Sequence, residues 1–229
     1  MTDFTHPTTE EALARLTMPM ADAMRTQRAV RRLHTAPVDV DLVYELLELS
    51  LNAPTSSNSQ DWSYVVVTSR EQKERLAKLY LPLFRIFGPI ERRRAAGDEK
   101  AQRQMAPGQW QAEHFADIPL LVVPCYERNL KHRPVGRPQI SVSSFYGSVF
   151  PAVQNLLLAC RAVGLGASLQ TLPIWIVPVA QRMLELPRKM VPVCVVPIGW
   201  AKGNYGPTTR RPIRDVVHID RYGNQPYRR

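Results

Sequence analysis

The chain has 229 residues, 45% hydrophobic and 22% charged. That length and apolar content support one domain-sized globule and exclude wholesale disorder. Its 30 basic and 20 acidic residues give a net charge of +10, most of it from arginine. Such a surplus reflects an anionic ligand, a nucleic acid, an anionic surface, or a compositional bias with no physical purpose.

No membrane span is expected. The longest apolar stretch, Val149 to Val163, is broken by Pro151, Gln154, Asn155 and Arg161, and spanning needs about 20 clean residues. The first residues carry acids and no apolar run, so no signal peptide is expected. Cys125, Cys160 and Cys194 each sit in an apolar run. They read as buried thiols in a reducing cytoplasm, not as disulfides or metal ligands.

In chain order, residues 1–19 read as a loosely attached arm with one short helix. Asp22 to Arg32 reads as an arginine-rich helix. Asp39 then caps an amphipathic helix with Leu42, Val43, Leu46 and Leu47 at 3.6-residue spacing, ending near Asn52. A polar loop, Thr55 to Gln60, leads into a strand over Ser63–Thr68, rich in β-branched residues. Arg70–Tyr80 is helical. Residues 84–111 have little apolar periodicity and carry Arg92, Arg93 and Arg94. They read as an excursion, either a lid or a solvated charged helix. Pro119–Cys125 is a second strand, and Arg128–Gln139 a basic loop. Ser141–Val163 is a long buried helix stopped by Gly164. Leu165–Leu169 is a third strand, Val177–Leu186 a helix and Val191–Ile198 a fourth strand. The tail from 207 to 229 is extended and rich in Pro, Arg and Gly. Alternating helices and strands give an α/β or α+β fold in one domain over 1–229.

Several common chemistries lack their residues. There is no G-x-G-x-x-G after a strand, no G-x-x-x-x-G-K-S/T, no C-x-x-C, no H-E-x-x-H and no G-x-S-x-G. No carboxylates stand out as a pair. An enzyme built on this sequence would leave the difficult step to a cofactor. Three features remain. Arg28, Arg31 and Arg32 would share one face of the predicted helix and suit a phosphate or an anionic ring edge. Ala53 to Trp62 is a dense polar loop able to hydrogen-bond a heterocycle or a sugar-like chain. Arg210 and Arg211 form a second basic pair. Each has a plain alternative: a solvated basic face, a self-capped turn and a basic tail.

Their order and wording say more. Arg28-Ala29-Val30-Arg31-Arg32-Leu33 resembles the R-S/A-V-R-x-F/L signature of the nitroreductase family of flavin mononucleotide (FMN) enzymes. Ala53 to Trp62 resembles that family's A-P-S-x-x-N-x-Q-P-W loop. Pro151 to Gly166 resembles its long core helix ending in G-L-G. Val195 to Gly199, followed by Arg210-Arg211-Pro212, resembles its strand, glycine and R-R-P ending. The resemblance runs from about residue 22 to 221.

It implies an α+β nitroreductase-like fold: a central, mainly antiparallel sheet flanked by helices, in a homodimer with an exchanged C-terminal tail and FMN at the interface. By position, Arg28 and Ala29 match residues near the FMN phosphate and ribityl chain, and Arg31 the basic residue at the N1/O2 edge of the ring. Pro54, Thr55, Ser56 and Asn58 match the loop arriving from the other protomer. Thr171 and Leu172 match the segment whose backbone N–H meets flavin N5. Arg210 matches a phosphate-binding residue, with Arg211 beside it. Departures are Gln27 where many relatives have arginine, Ala29 where many have serine, Asp61 for the proline of Q-P-W, and Thr171 for a glutamate. The implied function is an FMN-dependent oxidoreductase. It would be reduced by NAD(P)H and then pass electrons to a small electron-poor acceptor in ping-pong order. Dehalogenation or flavin cleavage is open within the family. The rivals are a degenerate flavin-binding or sequestering protein and, last, a nucleic-acid-binding protein.

Overall fold

The computed structural model describes residues 4–128 and 138–226. The helices are α1 (Thr9–Leu13), α2 (Met20–Thr26), α3 (Val40–Ser50), α4 (Arg70–Arg94), α5 (Glu99–Glu113), α6 (Pro138–Val163) and α7 (Val177–Met183). The strands are β1 (Trp62–Val67), β2 (Leu120–Glu127), β3 (Leu165–Ala167), β4 (Met190–Pro192) and β5 (Val196–Trp200). They form one sheet in the order β1-β2-β5-β3, with β4 also on β2, and every strand pair is antiparallel. No helix among the described residues is long and apolar enough to cross a membrane.

β2 organises the fold. It is buried almost throughout, and its side chains alternate between two cores. Leu120, Val122 and Tyr126 join a cluster under α3 and α6, with Leu42, Leu46, Val153 and Leu156. Leu121, Val123 and Cys125 join a second cluster with Leu76, Tyr80 and Phe115. The result is helices on both faces of an antiparallel sheet, an α+β sandwich. Leu46 and Leu156 are wholly buried, each worth about 1.5–3 kcal/mol. The Asp39 carboxylate accepts the Asp41 N–H at 3.1 Å and starts α3 where the sequence pattern puts it. Gly164, at φ +90°, ends α6 in the left-handed region that favours glycine.

Several expectations are corrected. The arginine-rich helix stops at Thr26, and Gln27 is already extended. Residues 28–34 then run along the sheet. The Val30 N–H donates to Ala167 O at 3.0 Å, Leu33 bridges Ala201, and the His34 N–H donates to Trp200 O at 2.8 Å. Arg28, Arg31 and Arg32 therefore do not share a helix face. Burial of Val30 and Leu33 against the sheet overrides local helix propensity. The contact is close: a Cβ on Gly166 would lie 2.7 Å from side-chain atoms of both Val30 and Leu33.

The single strand expected over 191–198 is two. Val122 faces Val196, while Cys125 faces Pro192. The β4–β5 side thus carries one extra residue, a β-bulge. It comes where Pro124 and Pro192 can donate no ladder bond, and the Val193 N–H closes the gap onto Pro124 O at 3.0 Å. The N-terminal arm is docked, not loose. Ala12 is wholly buried in the first core, a Thr8–Glu11 capping box starts α1, and Phe4 stacks on His34 at 3.8 Å.

Residues 84–111 fold as a helical hairpin. α4 continues through Pro82 and Pro89 to Arg94, and α5 returns. Phe84 seats the hairpin on the second core, edge-on to Tyr80 and against Gly88 and Gly108. The expected basic loop 128–139 lies mostly outside the described residues.

Gly166→Ala should lose about 1–3 kcal/mol of stability through overpacking, read as a lower urea midpoint. An unchanged midpoint would show that residues 28–33 do not need this close approach. Burial also pushes the Cys125, Cys160 and Cys194 thiols up to about 12. Only the thiolate reacts readily, so thiol modification at pH 8 should proceed no faster than unfolding. Unfolded thiols ionise near 8.5, so these three oppose folding only as pH rises above that value. Rapid labelling of any native cysteine would contradict their burial.

Candidate functional site

The extended run from Arg28 to Leu33 forms one wall of the site. Val30 and Leu33 face inward, whereas Ala29 and Arg32 are exposed and Arg28 and Arg31 half-buried. The C-terminal tail is tied to this run. Arg28 Nη2 donates to Pro207 O at 3.0 Å, and the Thr208 N–H and hydroxyl donate to Arg25 O at 2.9 and 3.2 Å. Arg28 and Arg32 both act on the Tyr205 phenol. Burial raises its pKa, and the two guanidiniums oppose that rise. Arg210 and Arg211 follow on the exposed tail, with Arg210 Nη1 on Thr209 O at 2.9 Å. Among the described residues, none of Arg28, Arg31, Arg32, Arg210 and Arg211 forms an ion pair.

A second wall follows β3. Gln170 pairs with Val195 through two backbone hydrogen bonds of 2.8 and 2.7 Å. Thr171, exposed, then begins a 3-10 turn over Leu172–Ile174. The start of such a turn leaves its first N–H groups without partners inside it. The chain brings Arg31 to this wall through Tyr80. The Arg31 charge is felt at the Tyr80 phenol, and that phenol lies 3.4 Å from Gln170 Oε1. Trp175 closes the turn, packing on Phe87 of α4 at 5.4 Å between ring centres. The α4–α5 hairpin thus reaches over the end of this segment.

The polar loop lies elsewhere. Pro54, Ser56 and Asn58 are exposed and Thr55 half-buried. Ser57, Asn58 and Gln60 have φ near +50°, a conformation that costs about 1–2 kcal/mol per non-glycine residue. The loop's own polar groups hold it: Thr55 Oγ1 accepts the Gln60 N–H at 3.2 Å, and Asn58 Oδ1 accepts from Gln60 Nε2 at 3.1 Å. Ser148 of α6 accepts the Ser56 N–H at 3.1 Å. An open cleft beside it is lined by Ser56, Asp61, Trp62, Tyr126 and Ser144.

One chain therefore unites Arg28, Ala29, Arg31, Thr171 and Leu172 with the base of the tail, but not with Pro54–Asn58. That loop precedes β1, one outer strand, whereas the arginine run pairs beyond β3 and β5 at the other side. Three strand spacings of about 4.8 Å each separate the outer strands. Tyr80, Ser168, Gln170 and Tyr205 were not anticipated from the sequence. The polar residues of Ser168-Leu169-Gln170 inside an otherwise apolar strand run were the available signal.

The model of the nitroreductase family matches residues 24–200. A nitrobenzene nitroreductase of Ectopseudomonas oleovorans is 26% identical over 207 residues, covering 79% of this chain and 86% of that protein. An iodotyrosine dehalogenase 1 homolog of Caenorhabditis elegans is 25% identical over 205 residues, 86% of this chain and 60% of that protein. Among solved structures, an oxidised iodotyrosine deiodinase bound to FMN and 3-iodo-L-tyrosine superposes with a TM-score of 0.67 at 18% identity. That match covers 89% of this chain and all of the other. A nitroreductase-like family protein from Bacillus cereus gives 0.64 at 19% identity, over 95% and 98%. With the family model spanning most of its length and the fold agreeing, this chain belongs to the nitroreductase family of oxidoreductases.

Proposed function

We propose that this protein is an FMN-dependent oxidoreductase. It takes electrons from NAD(P)H and passes them to a small electron-poor acceptor, a nitroaromatic or quinone, with donor and acceptor using the same face in turn. The observation that carries this reading is the set of arginines that, among the described residues, have no carboxylate partner and lie along the 28–33 run and the start of the tail. The donor set fits the cofactor. A phosphate dianion needs guanidinium forks, and Arg28 spends one of its five N–H donors on Pro207 O, which aims it without neutralising it. Arg31, half-buried beside Tyr80, is a cation suited to the ring edge that gains negative charge on reduction. When bound, FMN supplies hydride transfer at N5, so the protein needs no nucleophile and no carboxylate pair.

The chain's residues would bind and orient. Arg28, with Arg210 and Arg211, would hold the phosphate, and Ala29 would admit the ribityl chain. The backbone at Thr171 and Leu172 would face N5. The Pro54–Asn58 loop would complete the site from a second copy, since in its own chain it lies at the β1 side of the sheet and the arginine run at the β3 side. Exposed Ile213, Val216, Val217 and Tyr222 on the tail give that copy an apolar strap. Halogenated phenols form a second acceptor class, favoured by the deiodinases among the relatives.

The purified protein should be yellow, with FMN released on denaturation. Double-reciprocal plots against acceptor at several NAD(P)H concentrations should be parallel, and 3-iodo-L-tyrosine belongs in the acceptor panel. A colourless protein that takes up no added FMN would remove the reading, and intersecting lines would remove the ping-pong order. Arg28→Ala and Arg31→Ala should each weaken FMN binding about 10- to 100-fold, the equivalent of one charge-assisted hydrogen bond. Only Arg31→Ala should also lower the flavin potential. Unchanged affinity in both would displace the phosphate and ring from this wall.

A further inference from the structure

Four polar side chains are buried among the described residues: Ser50, Lys73, Gln111 and Ser168. Ser50 donates to Leu47 O, and Lys73 Nζ to Ile118 O and Pro119 O, which is ordinary backbone capping. Gln111 and Ser168 are different, for they come from separate elements and meet each other. Ser168 Oγ lies 3.1 Å from Gln111 Nε2, 3.3 Å from Gln111 Oε1 and 3.2 Å from Gln170 Nε2. One donated and two accepted bonds are what a hydroxyl's proton and two lone pairs allow. The Tyr80 O–H, 3.4 Å from Gln170 Oε1, continues the chain. No buried side-chain nitrogen or oxygen among the described residues lacks a partner.

This network has a price that apolar residues of similar size would avoid, since every member must stay paired. Its location gives it a use. It joins α4 through Tyr80 and α5 through Gln111 to the residue immediately before Thr171. Gln170 is fixed twice, by its backbone on Val195 and by its side chain in the network. Two turns beyond Tyr80 on α4, Phe87 packs on Trp175 of the same segment.

We infer that the Gln111–Ser168–Gln170–Tyr80 chain is a positioning device that holds the Thr171–Leu172 backbone in place and ties it to the α4–α5 hairpin. The seating of the hairpin is then transmitted to the backbone that, on the flavin reading above, stands at the redox edge. Tyr80, Gln111 and Ser168 are buried, and the chain acts through the backbone of Thr171 and Leu172.

Hydrogen exchange on the flavin-free protein tests the positioning directly. Ser168→Ala and Tyr80→Phe should each speed exchange of residues 168–175 and 108–113 about tenfold, with β2 unaffected. Tyr80→Phe keeps the ring packing on Phe84 and Phe115, so it decides the matter if Ser168→Ala does not fold. In the FMN-loaded protein, the ratio of affinities for reduced and oxidised FMN should shift about tenfold, about 30 mV for a two-electron couple. Exchange that rises evenly over the whole chain, or not at all in Tyr80→Phe, overturns the inference. So does an unchanged affinity ratio in variants that bind FMN. A wild-type protein that binds no FMN would instead sink the flavin reading, and the exchange result would still judge the network.

Discussion

The packing of Val30 and Leu33 onto Gly166 and Gly199 is the contact on which the site depends. A side chain at Gly166 would collide with both residues, and one at Gly199 would press on Leu33 and Pro119. Without side chains there, the backbone from Arg28 to His34 lies close enough to β3 and β5 to share their hydrogen bonds. That seat turns a run of basic residues into a wall with a fixed register. Val30 and Leu33 are driven inward by burial, and the arginines between and beside them stay at the surface. The tail is seated by the same run through Arg28 on Pro207 O, and by the end of α2 through Arg25 O and Thr208. Loss of the close approach would therefore loosen the arginines and the tail together.

The sequence patterns that were legible are those set by local physics. α3 begins at its Asp39 cap and follows its apolar stripe. β1 is an unbroken run rich in β-branched residues. α6 ends at Gly164, which supplies the positive φ. The patterns that misled are those decided by distant contacts. Residues 22–32 look helical because arginine and alanine favour helix, and only the glycines of 166 and 199, far along the chain, reveal the sheet seat. The strand over 191–198 looks continuous, and its bulge is visible only against the register of β2. The arm looks loose in sequence because Ala12, its one buried residue among those described, is small. The site is split in the same way. The arginine and loop motifs can be read as words, whereas Tyr80, Ser168 and Gln170 belong to it only through folding.

Charge needs the same separation of local from distant causes. Among the described residues the ion pairs are exposed ones, such as Arg70 with Glu74 and Asp117, and Lys189 with Glu127. Pairs of that kind contribute little to stability. Among the described residues, Arg28, Arg31, Arg32, Arg210 and Arg211 stand outside them. A surplus of +10 spread evenly would repel itself without purpose. Arg28 and Arg32, where the run meets the base of the tail, with half-buried Arg31 between them in sequence, make a local field that an anionic ligand would relieve.

The sheet order keeps two parts of the proposed site apart within one chain. The Pro54–Asn58 loop carries three left-handed residues whose strain is held by its own side chains and by Ser148. Strain of that sort persists where the surroundings over-determine it, and it concentrates where a ligand is gripped. Yet the loop sits at the β1 side, and the arginine wall lies across the sheet. Within one chain the strained polar loop and the basic wall stand at opposite sides of the sheet. On the proposed reading, a second copy would set its loop against the first one's wall, and the anionic cofactor between them would neutralise the arginines. The apolar tail residues that one chain leaves in water would then gain a surface to cover.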